Sequence, residues 1–143
     1  MRSRLLLDLN VVLDVLLDRK PHAAVASVLW AGIERGEATG FLPAHGFTTI
    51  HYLAERARGR GFARQTVVDL VSVFRVAAVD QLVIRRAADL DWPDFEDAVS
   101  AACAASAKCD AIVTRDPAGF AGATLPVVDP AAALPFLNRS RRR

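Results

Sequence analysis

Leu5-Leu6-Leu7-Asp8 is a short apolar run that ends in a carboxylate, and the pattern returns at Ile112-Val113-Thr114-Arg115-Asp116. A brief unbroken apolar run, without polar alternation, is the pattern of a strand buried on both faces, as in a parallel sheet. Residues 4–8 and 111–114 are therefore expected to be such strands. Between them the periodicity is helical. Residues 11–17 are apolar at nearly every position. A helix starting at Pro21 carries Val25, Val28, Leu29 and Ile33 at helical spacing and ends near Gly36. Residues 39–42 read as a second strand. Residues 48–57 read as a helix broken by Gly59 and Gly61, and residues 62–74 as the next helix. A brief strand is expected at 75–79 and a helix at 81–90, which Trp92-Pro93 stops. Asp94 is placed to cap a helix running to about residue 107. A last strand at 126–128 and a closing turn or helix at 130–137 complete the chain. Strands alternating with helices predict an α/β fold of three layers, α/β/α, around a short, mainly parallel sheet of about four or five strands.

The chain has 143 residues, of which 52% are hydrophobic. That length suits one domain, and no linker, repeat or low-complexity segment divides it. Residues 1–138 are expected to form the domain, with 139–143 as a basic tail. No apolar run approaches the roughly 18 residues that cross a bilayer. The start, Met1-Arg2-Ser3-Arg4-Leu5-Leu6-Leu7, opens like a signal peptide, but Asp8 and Asn10 interrupt it. A cytoplasmic protein with no membrane partner is expected. Cys103 and Cys109 have neither redox-pair nor zinc spacing, and read as buried reduced thiols.

Net charge is only +2, so no global basic field attracts nucleic acid. The basic residues are clustered, however. Arg56, Arg58, Arg60 and Arg64 lie close together, and Arg139, Arg141, Arg142 and Arg143 close the chain. Local patches of this kind can hold phosphates. The plain alternative is a solvated helix end and a solvated tail.

The carboxylates carry the chemistry. In an open α/β sheet, ligands bind outside the carboxyl ends of the strands. Asp8 and Asp116 follow strands into that crevice, and Asp94 and Asp97 start a helix that leads to the strand at 111–114. Gathered there, such groups would repel one another unless a cation neutralised them, and oxygen-rich clusters suit Mg²⁺ or Mn²⁺. Each also has a structural reading. Asp8 can cap the helix that follows it. Asp94 and Asp97 can form a capping pair, N-cap and N3. Asp116 can open a turn before Pro117. Asn10 can cap its helix or orient Asp8, Thr114 offers a hydroxyl to a carboxylate or to water, and Glu96 is expected to point into solvent. His22, His45 and His51 show no zinc spacing, and His51 is one turn from Glu55, as a surface pair would be. The site read from these residues cuts phosphodiesters with the help of a divalent metal.

With these residues in place, the chain resembles the PIN-domain family, in particular its VapC-like toxins of prokaryotic toxin–antitoxin pairs. The resemblance runs from Leu5 to about Leu137. Leu7-Asp8-Leu9-Asn10-Val11-Val12-Leu13-Asp14 is similar to the family's opening motif, with Asp8 its first acid. Asp94-Phe95-Glu96-Asp97-Ala98 is similar to the motif of the third acid, at Asp97. Ile112-Val113-Thr114-Arg115-Asp116 with Phe120 is similar to the Thr-Arg-Asp/Asn motif, with Asp116 the fourth acid. The second acid departs from the pattern. Its position falls at Thr48, Thr49 or Ile50, none of them acidic, and Glu55 lies about two turns, ~10 Å, further along.

The resemblance implies an endoribonuclease dependent on Mg²⁺ or Mn²⁺, held by Asp8, Asp97 and Asp116 with Asp94 in support. It also implies an RNA substrate, a cognate antitoxin that covers the site, and a homodimer. Asn10, Thr114 and Glu55 would be supporting residues, and Arg56, Arg58, Arg60 and Arg64 would touch the RNA backbone. A catalytically degenerate domain that binds RNA or a partner is the alternative, because of the missing second acid. A phosphoacceptor domain fits poorly, because Asp8 has no adjacent acid and Lys108 precedes its strand.

Overall fold

The structure, a computed structural model, describes residues 1–137; the expected basic tail and the boundary at residue 138 lie outside them. Five strands form one sheet: β1 (Arg4–Leu7), β2 (Thr39–Pro43), β3 (Arg75–Ala77), β4 (Ala111–Val113) and β5 (Val127–Val128), in the order β3-β2-β1-β4-β5. Every pairing is parallel. The helices are α1 (Leu9–Leu16), α2 (Ala23–Glu34), α3 (Gly46–Arg58), α4 (Arg60–Val73), α5 (Gln81–Leu90), α6 (Phe95–Ser106) and the short α7 (Pro130–Ala133). The expected three-layer α/β architecture is the one observed.

Strand periodicity explains the layers. Successive side chains point to opposite faces of a strand. Leu5 and Leu7 therefore join Ala111, Val113 and Leu42 in one apolar cluster, packed by α1, α2, α3 and α4. Leu6, Ile112 and Phe41 enter a separate cluster with α5 and α6. Leu5, Leu6 and Ile112 are fully buried, each contributing roughly 1.5–3 kcal/mol of hydrophobic stabilisation. The alanine run of α6, Ala101 to Ala104 around Cys103, is buried against the sheet. Both cysteines are free and buried there. Burial pushes the Cys103 thiol up to about 11 and the Cys109 thiol up to about 12, so neither is a ready nucleophile.

Local detail departs from the reading of the sequence at two points. The first helix starts at Leu9, so Asn10 lies inside its first turn and Asp8 takes the cap position. Gly59, with φ 90°, separates α3 from α4, but Gly61 lies within α4. The first turn of a helix has no intrahelical donors to lose, so a glycine there does not break it.

The chain runs outward from β1 to β2 and β3, then returns to place β4 on the other side of β1. The reversal of strand order between β1 and β4 is where an open parallel sheet forms a crevice at its carboxyl edge. Leu7 is in register with Val113, so residues 8 and 114 leave the sheet side by side.

Gly40 in β2 is packed so closely that an added Cβ would come within 2.6 Å of Phe74 Cδ1 and 3.0 Å of Ile33 Cγ2. Gly40→Ala is expected to destabilise the fold by about 1–3 kcal/mol through overpacking. An unchanged urea midpoint would show that the Phe74 ring gives way freely.

Candidate active site

Asp8 leaves β1 in an extended conformation, and its amide donates to the Val113 carbonyl at 2.8 Å. Its Oδ2 accepts from the Thr114 hydroxyl at 3.0 Å, and the same hydroxyl oxygen accepts from the Asp116 amide at 3.2 Å. Thr114 thus ties the exit of β1 to the exit of β4. Asp116 stands at the head of a 3₁₀ turn (Pro117–Phe120) without a side-chain capping bond. From the opposite layer, Asp94 caps α6 by accepting from the Asp97 amide at 3.1 Å. Asp97 sits in the first turn, where the helix dipole favours an anion. Gly119 completes the approach. A Cβ there would stand 3.1 Å from Asp97 Oδ2 and 3.7 Å from Asp116 Oδ2, so glycine lets the turn lie against both carboxylates.

Asp8, Asp94, Glu96, Asp97 and Asp116 line a single cleft of about 210 Å³, together with Asn10, Thr49, Thr114 and Phe120. Among the described residues no Lys, Arg or His lines it. The crowding is visible in the proton affinities. The Asp97 carboxyl is pushed up to about 6, first by burial and then by Asp94, Asp8, Glu96 and Asp116. Burial also raises Asp8, opposed by hydrogen bonds from Thr114 and the Leu9 amide. A lining rich in carboxylate and hydroxyl oxygens, with surplus negative charge, is the donor chemistry that Mg²⁺ and Mn²⁺ take. Among the described residues no three acidic, His or Cys side chains converge tightly enough to grip one ion directly. An ion suited to this cleft is one that keeps most of its own waters, as Mg²⁺ does.

The arginine inside the Thr-Arg-Asp run does not neutralise the cleft. Arg115 Nε donates to Asp14 Oδ2 at 2.8 Å and its Nη2 to Asp14 Oδ1 at 3.3 Å. Asp14 comes from α1 and is only 1% exposed. Arg19 approaches Asp14 Oδ1 at 3.6 Å and donates to Asn10 Oδ1 at 3.3 Å. This two-point grip fixes the loop between Thr114 and Asp116 against α1.

Of the residues singled out from the sequence, Asp8, Asp94, Asp97, Asp116, Thr114 and Asn10 meet in the cleft. Asp8 rather than Asn10 takes the cap position of α1, and the Asn10 side-chain oxygen accepts from Arg19. Glu55 does not reach the cleft. It is exposed and faces His51, with Nδ1 to Oε1 at 4.0 Å. Arg56, Arg58, Arg60 and Arg64 are all exposed and none lines the cleft. Glu96, expected to point into solvent, is exposed and also borders the cleft. Asp14 and Gly119 were missed. An acid within an almost wholly apolar helix was the available signal for Asp14; nothing local marks Gly119. A larger apolar cavity of about 260 Å³, bordered by Leu90, Ala101, Ala105 and Leu125, lies elsewhere and holds no cluster of acids.

Comparison with known proteins gives a consistent relationship. The PIN domain family model matches residues 4–118. No curated protein matches the chain. Among solved structures, VapBC2 from Rickettsia felis bound to a promoter DNA fragment aligns with a TM-score of 0.67 at 10% identity, over 89% of this chain and 98% of that one. FitAcB from Neisseria gonorrhoeae aligns with a TM-score of 0.69 at 18% identity, over 89% and 98%. VapC20 from Mycobacterium tuberculosis, a Sarcin-Ricin loop cleaving toxin, aligns with a TM-score of 0.66 at 18% identity, over 82% and 93%. These similarities establish a shared fold.

Two outcomes are expected. Asp97 holds its proton more tightly folded, at about 6, than at its ordinary 3.8. Its stabilising contribution is therefore full below pH 3.8 and lost as pH rises through about 6. Without divalent ions, Asp97→Asn should flatten the fall in melting temperature across that window and melt higher at neutral pH. Parallel melting profiles would refute the crowding. Asp14→Asn should destabilise by about 1–3 kcal/mol, because it weakens a charged pair with Arg115 at a buried partner; denaturant titration reads the loss.

Proposed function

The chain belongs to the PIN-domain family, and on that premise we propose that it is a Mg²⁺- or Mn²⁺-dependent endoribonuclease, the toxin of a type II toxin–antitoxin pair acting in the cytoplasm. One observation carries the reading: five carboxylates share a cleft at the reversal point of the sheet, with no basic side chain in its lining among the described residues. A structural cluster would have its charges paired, as Asp14 is with Arg115. This cluster is left to be neutralised from outside.

Asp8, Asp97 and Asp116 would hold the ion, which supplies Lewis acidity toward a phosphodiester when bound. The chain's own residues set the geometry. Thr114 holds the Asp8 carboxylate and the Asp116 backbone in one arrangement. Asp94 orders the first turn of α6 and with it Asp97. Asp14 anchors the Asp116 loop through Arg115. Glu96 adds a carboxylate to a cleft whose family counterparts would take one from the Thr48–Ile50 region.

The partners follow from the same relationship. The Rickettsia felis neighbour is a VapBC complex on its promoter DNA, which supports a cognate antitoxin here. The Mycobacterium tuberculosis neighbour is a Sarcin-Ricin loop cleaving toxin, which supports a nuclease reading here. A homodimer fits the same family pattern. The alternative reading, a degenerate binding module, is favoured by the absence of an acid at residues 48–50 and by the outward position of Glu55; Glu96 in the cleft weighs against it.

Purified protein is expected to cleave total cellular RNA with Mg²⁺ or Mn²⁺ and to stop when the ion is chelated. Asp8→Asn and Asp97→Asn should each lose about 100-fold or more, roughly 2.7 kcal/mol of transition-state stabilisation. Glu96→Gln should lose less, and Glu55→Gln nothing measurable. Full activity in Asp97→Asn would remove the assignment.

A further inference from the structure

A cleft lined by carboxylates repels the phosphates of the strand it is read as cutting. Attraction beside it must come from the ion or from uncharged contacts. Two side chains are disposed to make uncharged contacts. Phe95 is 50% exposed at the first position of α6, between Asp94 and Glu96, both of which line the cleft. Tyr52 is 55% exposed on α3. Among the described residues these are the only aromatic side chains left so open. Burying a ring of this size would gain roughly 1.5–3 kcal/mol, a gain that this fold forgoes at both places.

Each ring is carried by a helix that contributes residues to the cleft, Phe95 by α6 and Tyr52 by α3. Thr49 of α3 lines it, and Tyr52 and Arg56 follow Thr49 at helical steps of three and seven, on the same face of α3. Tyr52 and Arg56 form a unit: Arg56 Nη1 donates to the Tyr52 hydroxyl at 3.0 Å, and its guanidinium lies 5.7 Å from the ring centre. Arg58 points around the helix and covers the Phe62 ring at 5.1 Å, and Arg60 and Arg64 stand on α4. Of the four clustered arginines, only Arg56 shares the face that leads into the cleft.

We propose that Phe95 on one wall and Tyr52 with Arg56 on the other form a base-stacking track that holds single-stranded RNA across the acid cleft, a proposal that rests on the ribonuclease reading above. Stacking on exposed aromatics needs unpaired bases whose faces are free. Arg56 meets a backbone phosphate beyond the reach of the carboxylates. The track makes the substrate a loop or an unpaired strand and rejects a continuous duplex.

The test is fluorescence anisotropy with a short labelled single-stranded RNA, and with the same strand annealed to its complement, using the full chain as Asp97→Asn with Mg²⁺ to prevent turnover. In that background Phe95→Ala and Tyr52→Ala should each weaken single-strand binding about ten-fold or more. Phe95→Tyr and Tyr52→Phe should restore it, Val28→Ala, an exposed change on α2, should leave it unchanged, and the duplex should bind more weakly than the strand. The substituted rings are exposed, so melting curves should match the parent. Parent-like binding by both alanine variants would overturn the track and leave the ribonuclease reading intact. Failure of the parent to bind RNA, together with failure of the unsubstituted protein to cleave RNA with either metal, would overturn both.

Discussion

The parallel pairing of β1 with β4 governs the rest of the molecule. Once Leu7 and Val113 are in register, Asp8 and the Thr114–Asp116 loop must leave the sheet together. Two carboxylates then emerge at one edge, and the dipole of α6 brings Asp97 to meet them. Such convergence is unfavourable in itself. It is tolerated because the two faces of the sheet carry enough buried apolar surface to outweigh local repulsion.

Charge is managed by two different rules within a short distance. Asp14 is buried and fully paired, gripped by Arg115 and approached by Arg19. The acids of the cleft form no ion pair among the described residues. Arg115 stands next to Asp116 in sequence yet turns to Asp14 in space. The one arginine that sequence places inside the acid motif is thereby withdrawn from it, and the cleft keeps its negative charge.

Much of this was legible in the sequence, for identifiable reasons. The runs ending at Asp8 and at Asp116 read correctly as buried strands because their apolar residues are continuous, a pattern that survives without tertiary context. Asp94 was legible as a helix cap because capping is local. What was not legible depended on packing between distant segments. Asp14 and Arg115 are 101 residues apart, and nothing in either neighbourhood announces the partner. Spacing along a helix says which residues share a face, but the way the helix docks on the sheet decides where that face looks: Glu96 is exposed yet borders the cleft, and Glu55 faces His51.

The cleft also has an unusual mechanical dependence. One wall is α6, seated on the core that contains Leu6 and Ile112; the other includes Thr49 of α3, seated on the core of Leu5 and Leu7. The sheet separates the two cores, so each wall answers to its own packing. Loosening either core shifts one wall against the other, and a shift of α6 carries Asp94, Glu96 and Asp97 away from Asp8 and Asp116. Heat-sensitive loss of function should therefore arise from substitutions far from the carboxylates, on both sides of the sheet, and compensating changes should lie within the same layer as the original lesion.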